Sequence, residues 1–315
     1  MKNKISLLAV LLIAGMVVVA QNSPTSELRV FGAMTTVELS PVLVAANGIY
    51  PGPVTVSNGG VPNLTSGAAD VATNAETQLL RQSVDDPDLR VIFTVTENFY
   101  RIVARKSAGI QKVSDLKGKK ITVPRNTSAA YFLYKMLATA KLTEDDVTIV
   151  AITPASEMAT ALKDGRADAV AMWDPETARA AVAVGDDAVI LQDKNVYREI
   201  FNLNTSAKVI ADPAKRRAIV AFLRSLMTAI GRLQAKPQDF WPYISSRLNH
   251  PVDLLERSWP QLRFTNGIAP DLLDVLEEEE RWVAKERNRS PRTRAQLSTL
   301  IDSSLLNEAR MEQSR

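Results

Sequence analysis

Short apolar runs alternate with helix-period runs through the first two thirds of the chain. Leu28–Phe31, Val54–Val56, Ala69–Ala72 and Leu89–Thr96 read as strands, with helices expected over Pro41–Ala46, Val61–Ser66 and Asn74–Ser83. The pattern resumes after Tyr100–Ala104: strand Ile121–Val123 leads to helix Ser128–Ala140, and Thr148–Ala151 to Ala155–Lys163. Ala169–Met172 leads to Asp174–Val184, and Val189–Leu191 closes the series. Such alternation predicts an α/β fold of mostly parallel sheets with helices on both faces, without a true internal repeat. Beyond Asp212-Pro213 the chain turns helical, opening with an apolar stripe through Ile219, Phe222, Leu223, Leu226 and Ile230.

One strand–turn–helix unit is the centre of the reading. In Asp115–Ala140, Asn126-Thr127-Ser128 stands between Pro124-Arg125 and a helix carrying Tyr131, Tyr134 and Leu137. Such side chains cap helices, and the free N–H groups there also hold oxygen-rich ligands.

The "DLKGKK-strand-P" form of this unit resembles the signature of periplasmic solute-binding proteins. Leu64-Thr65-Ser66-Gly67-Ala68-Ala69-Asp70-Val71-Ala72 and Ala161–Pro175, with Gly165, Asp168 and Trp173-Asp174-Pro175, are similar to two further elements of that family. The third form is closest to its nitrate/sulfonate/taurine and thiamine-pyrimidine-precursor branch. The resemblance, over Leu28–Arg232, implies a two-lobed, type II periplasmic-binding-protein fold that closes on a small molecule and delivers it to an ABC permease. Residues 25–102 with 205–275 would form the first lobe, 103–204 the second, and 276–315 a charged helical segment. The returning hinge strand is expected near Phe201–Asn204. Gly48–Pro53 is shorter than the family's usual helix-to-strand segment.

Composition narrows the rest. Lys2 and Lys4, an apolar run from Ile5 to Val19 and Val18-x-Ala20 read as a cleavable signal over residues 1–20, hence a periplasmic destination. There is no cysteine, which excludes disulfides, thiolate metal sites and lipoprotein anchoring. The net charge of +3 requires no nucleic-acid partner, and a monomer is expected. The charge-dense stretch Glu277–Arg294 reads as a solvated face, with membrane-surface binding the lesser reading.

The candidate ligand residues sit at expected strand ends and helix starts: Thr35, Thr36, Asn74, Glu76, Glu97, Asn98, Asn126, Thr127, Ser128, Trp173 and Asp174. Each has a structural alternative, such as a cap or a favourable first-turn acid. No catalytic residue, cofactor or metal is expected. His250 is the sole histidine, and Ser114-Asp115-Leu116-Lys117 lacks the S-D-N and K-T-G partners of an S-x-x-K enzyme. Acids at the cleft (Glu38, Glu76, Glu97, Asp174) favour a nitrogen-bearing ligand, whereas the Asn126–Ser128 helix start favours an oxyanion. A small polar molecule with nitrogen is the first reading and an alkanesulfonate the second. A sensor feeding a membrane kinase or chemoreceptor, and an enzyme on the same fold, are the rivals.

Overall fold

The computed structural model describes residue 24 and residues 26–313; the expected signal at Met1–Ala20 lies outside them. Eleven strands are described: β1 (Leu28–Gly32), β2 (Val54–Asn58), β3 (Val71–Ala75), β4 (Leu89–Asn98), β5 (Arg101–Arg105), β6 (Lys120–Thr122), β7 (Thr148–Val150), β8 (Ala169–Met172), β9 (Ala188–Leu191), β10 (Glu199–Ser206) and β11 (Leu262–Arg263). The helices are α1 (Ser40–Ala46), α2 (Pro62–Thr65), α3 (Glu76–Gln82), α4 (Ser128–Thr139), α5 (Met158–Lys163), α6 (Glu176–Val184) and α7 (Ala207–Ala211). They continue with α8 (Pro213–Ala235), α9 (Trp241–Leu248), α10 (Val252–Ser258), α11 (Leu272–Glu286), α12 (Arg294–Ser298) and α13 (Ser304–Gln313).

Two sheets result, ordered β11-β4-β10-β3-β1-β2 and β7-β6-β8-β5-β9. Both are mixed. β1 runs parallel to β2 and β3, and β6 parallel to β7 and β8, but β10 is antiparallel to both its neighbours and β5 to both of its own. β11 is antiparallel to β4 at the sheet's edge, and the two interior antiparallel members are the strands that follow the chain's crossings between sheets. Having crossed over, β5 and β10 enter their new sheets reversed. The outward crossing is Phe99-Tyr100, between β4 and β5. The return falls before Glu199, because β10 pairs with β4 from its first residue; this corrects the placement at Phe201–Asn204.

The two G-x-x-D segments turn out to be matched staples. Gly67 and Gly165 hold left-handed φ of 76° and 77°, where a side chain would be strained. Each turn then brings an aspartate beside the neighbouring parallel strand. Asp70 N–H donates to the Arg29 carbonyl (2.9 Å) while Arg29 N–H donates to Asp70 Oδ2 (2.9 Å). Asp168 N–H donates to the Lys120 carbonyl (2.7 Å) while Lys120 N–H donates to Asp168 Oδ2 (2.9 Å). Both motif aspartates thus lock β1 to β3 and β6 to β8.

The apolar stripe of α8 is buried throughout, so this long apolar helix serves as a core helix against β1 and α1. The C-terminal segment is equally integral. Leu272, Leu276, Trp282, Val283, Leu297 and Leu300 join one core cluster, and Leu305, Leu306 and Ala309 the other. Glu279 and Glu280 are buried too, which corrects the solvated-face reading of Glu277–Arg294 at those two acids; Glu278, Arg281, Lys285, Arg287 and Arg294 are exposed. These two acids of α11 face inward because they have dedicated partners, while Asp274 and Glu278 on the same helix are exposed. Thr77 Oγ1 donates to Glu279 at 2.6 Å, and the Arg289 and Arg292 guanidiniums close on Glu280.

Candidate ligand-binding cleft

The parallel strands β1, β3, β6 and β8 point their C-terminal ends toward the seam between the sheets. In open α/β sheets ligands bind at such ends. A pocket of about 120 Å³ lies there. Ala33, Thr36 and Glu38 line it from the segment after β1; Asn74, Ala75 and Gln78 from the β3–α3 junction; Glu199 and Phe201 from β10. The other half contributes Thr127 at the start of α4 and Trp173 just after β8.

Thr127 is the N-cap residue of α4, yet its hydroxyl donates back to the Pro124 carbonyl (2.7 Å) and caps no helical N–H. The positive end of that helix therefore faces the pocket without a side-chain cap. Trp173 lies beside Tyr100, ring centroids 6.2 Å apart, and the Tyr100 hydroxyl meets Ser128 Oγ at 2.9 Å. Tyr197 packs on Tyr100, Tyr131 and Phe132, and Tyr131 in turn on Trp282 of α11, so ring contacts run from beside Trp173 to that helix.

Carboxyl groups dominate the pocket's chemistry. Glu38 is buried; Asn98 Nδ2 donates to its Oε1, while its Oε2 has no protein partner. Glu199 stands opposite Asn98 in the β4–β10 register; its carboxyl lies within hydrogen-bond reach of Tyr100 and of Glu38, and its buried Oε2 receives no protein donor. Burial pushes the Glu38 carboxyl up to about 7, its bond from Asn98 only partly offsetting this. Glu199 is raised well above the usual range by burial and then by the charges of Glu38 and Glu76. Glu76, beneath them at the first turn of α3, is raised to about 7 by burial, although Tyr197 Oη (2.6 Å) and Ile200 N (2.7 Å) donate to it. Glu279 is raised as well, again chiefly by burial.

These raised carboxyls fix the sign of a pH dependence. A group whose folded pKa exceeds its unfolded value, about 4.3 for glutamate, adds stability below that value and loses it as pH rises through the folded pKa. The melting temperature of the free protein is expected to fall between pH 5 and pH 8, and Glu279→Gln to flatten that fall. Thermal melts across this range check it; a melting temperature level from pH 5 to pH 8 would contradict it.

Thr36, Asn74, Thr127 and Trp173 of the expected residues line the pocket. The others stand behind it or apart. Thr35 is exposed, its carbonyl accepting from His250 Nε2 at 2.9 Å. Asn98 and Ser128 each support a neighbour, Glu38 and Tyr100 respectively. Glu76 ties α3 to β10, and Glu97 is ion-paired with Arg198 and Arg263. Asp174 is fully engaged by Arg101 (2.6 and 2.9 Å), Thr177 Oγ1 (2.9 Å) and Ala178 N (3.2 Å). Asn126 takes a left-handed φ of 61° and spans the seam: Gln78 Nε2 donates to its carbonyl and Arg81 Nη2 to its Oδ1, both at 3.0 Å. Sequence reasoning missed Ala33, Ala75, Gln78, Glu199 and Phe201. Glu199 and Phe201 sit at the chain's return into the first sheet, on a strand that alternates Ile, Phe and Leu with asparagines and gives no distinct local signal.

A profile described as NMT1/THI5-like matches residues 54–239, more than half of the sequence. The chain belongs to the NMT1/THI5-like family. Among relatives of this NMT1/THI5-like chain is an aliphatic sulfonates-binding protein of Escherichia coli, 33% identical over 195 residues. That match covers 55% of this chain and 60% of the relative, so it spans less than two thirds of the latter. The alkanesulfonate-binding protein SsuA from Xanthomonas axonopodis pv. citri, solved bound to MOPS, superimposes with a TM-score of 0.68 at 17% identity, covering 89% of this chain and 99% of that one. The desulfurization enzyme DszB shares the fold as well: TM-score 0.64, 14% identity, 92% and 100% coverage. At such identities the likeness establishes architecture alone.

Proposed function

We propose that this NMT1/THI5-like chain is the substrate-binding component of an ABC importer, capturing a small polar molecule between its two halves in the periplasm and presenting it to a permease. One observation carries the reading. The pocket draws its walls from both sheets, and a few polar contacts, such as Asn126 with Gln78 and Arg81, join them across the seam. A ligand held by both halves favours their approach over their separation. The sulfonate-binding relative and the MOPS-bound neighbour support a small-molecule ligand. Binding without turnover is the reading supported by the residues present: the pocket is lined by no nucleophile–histidine pair, and the single histidine is engaged by the Thr35 carbonyl.

A thermal-shift series with sulfonates, amines, amino acids and pyrimidines tests capture directly. A ligand bound only by the folded state adds about 2.7 kcal/mol at a hundredfold excess over Kd. A melting temperature unmoved by every class would count against capture. Within the same experiment, Trp173→Ala is expected to weaken binding about tenfold, or about 1.4 kcal/mol, with little change in the free protein's melting. Trp173 is only part-buried and packs at the pocket's edge. An unaltered affinity would remove its ring from the site.

A further inference from the structure

We propose that Glu38 and Glu199 together read a protonated nitrogen, so that the ligand of this cleft is a small organic ammonium. This rests on the capture reading above and names its substrate class. Both carboxyls line the pocket, both are almost wholly buried, and in each Oε2 receives no N–H or O–H from the protein; the two carboxyls are close enough to share a hydrogen bond with each other, which a single proton between them supplies when no ligand is bound. A buried acceptor left unmatched is costly. Two such oxygens on one small cavity are what a primary ammonium, with several N–H donors, would satisfy at once.

The surroundings agree. Among the described residues no arginine, lysine or histidine forms an ion pair with either carboxyl, and the pocket wall contains none of these residues. The charged and titratable groups facing the pair are themselves acidic or phenolic: Asp174 and Glu199 toward Glu38, and Glu38, Glu76 and Tyr100 toward Glu199. The nearby cations are already committed, Arg101 to Asp174 and Arg198 to Glu97 and Asp271. Trp173 and Phe201 add aromatic faces to the wall, which favour a cation further. A sulfonate placed against the pair would meet repulsion. The uncapped start of α4 at Thr127 would instead receive any oxygen at the ligand's other end.

Without ligand, protons neutralise the pair; the ammonium replaces them. Affinity for an amine therefore rises as pH increases through the range where Glu38 titrates, about 7.

Calorimetric titration with three matched probes tests this: propylamine, propane-1-sulfonate and 3-aminopropane-1-sulfonate, at pH 6 and pH 8. Both amines are expected to bind, more tightly at pH 8 and with proton release at pH 6; the plain sulfonate should bind at least about tenfold more weakly. Glu199→Gln, and separately Glu38→Gln, should weaken the amines about tenfold or more and leave propane-1-sulfonate unchanged or tighter. Should one variant fail to fold, the other and the wild-type pH dependence still decide. Binding of propane-1-sulfonate alone would overturn the ammonium and leave capture intact. Silence of both amines at millimolar concentration would also overturn it, with capture then judged by the wider thermal-shift series. Amine binding indifferent to both substitutions would overturn the role of the pair.

Discussion

Ending the chain after Asp271 is expected to abolish cooperative folding. The removed segment carries Leu272, Leu276, Trp282, Val283, Leu297, Leu300, Leu305 and Leu306, all buried and divided between the two largest core clusters. Truncating a single buried leucine typically costs about 2–5 kcal/mol, and a whole domain is stable by only about 5–15 kcal/mol. Polar ties go with the apolar ones. Arg292 donates to the Ser83 hydroxyl (2.9 Å) and the Leu80 carbonyl (2.8 Å), clasping α3. The Leu300 carbonyl accepts from Val91 N at 2.7 Å, and Asp302 N donates to the Val91 carbonyl at 2.9 Å, so residues after α12 extend the first sheet's hydrogen bonding. On the other side, Trp282 packs on Tyr131 of the second half at a centroid distance of 5.2 Å. Circular dichroism melts of the shortened protein check the expectation; a sigmoidal transition near the full-length midpoint would show this segment to be dispensable.

That segment also shows where local pattern stops informing. Glu277 to Arg294 is charge-rich, and in isolation charge argues for water. Only the tertiary partners reveal that Glu279 meets Thr77 and Glu280 meets two arginines. Strand positions were largely legible because apolar runs between turns leave little choice: β8 falls where its run stands, whereas β3 is shifted to Val71–Ala75 from the expected Ala69–Ala72 and takes in Asn74, which the pattern gave to the next helix. The mixed character of the sheets was not legible, since strand direction depends on which sheet the chain enters after crossing. The cleft was half legible. Thr36, Asn74, Thr127 and Trp173 follow from the rule that ligands meet strand C-termini. Asp174 and Glu97 satisfy the same rule of position, but their carboxylates are consumed by Arg101 and by Arg198 with Arg263. Which of two neighbouring acids keeps a free oxygen is set by partners distant in sequence, and so Glu199 was invisible.

Asp70→Ala is expected to be the most damaging single polar substitution, at about 3 kcal/mol. Its carboxylate is only 2% exposed and holds three things together: Arg29 Nη2 at 2.8 Å, Lys215 Nζ at 2.8 Å and the backbone N–H of Arg29. Breaking a buried pair by deleting one partner costs about 3–5 kcal/mol, because the remaining charges are left uncompensated. The lower end applies because Arg29 is 40% exposed and water screens it once the partner is gone. Asp168, the equivalent staple in the second sheet, is itself 20% exposed and carries one arginine, so Asp168→Ala should cost clearly less. The pH dependence separates this pair from mere packing. The Arg29 and Lys215 bonds outweigh burial and hold the Asp70 carboxyl below the usual carboxylate range. A depressed folded pKa contributes stability above the unfolded value of about 3.9 and loses it as pH falls through the folded pKa. The wild-type advantage over Asp70→Ala should therefore be full at pH 5–7 and shrink in stronger acid. Chemical denaturation at pH 7 and at pH 3 measures both arms. An advantage that persists undiminished at pH 3 would mean that the side chain's volume, and not its charge, fastens β1 to β3.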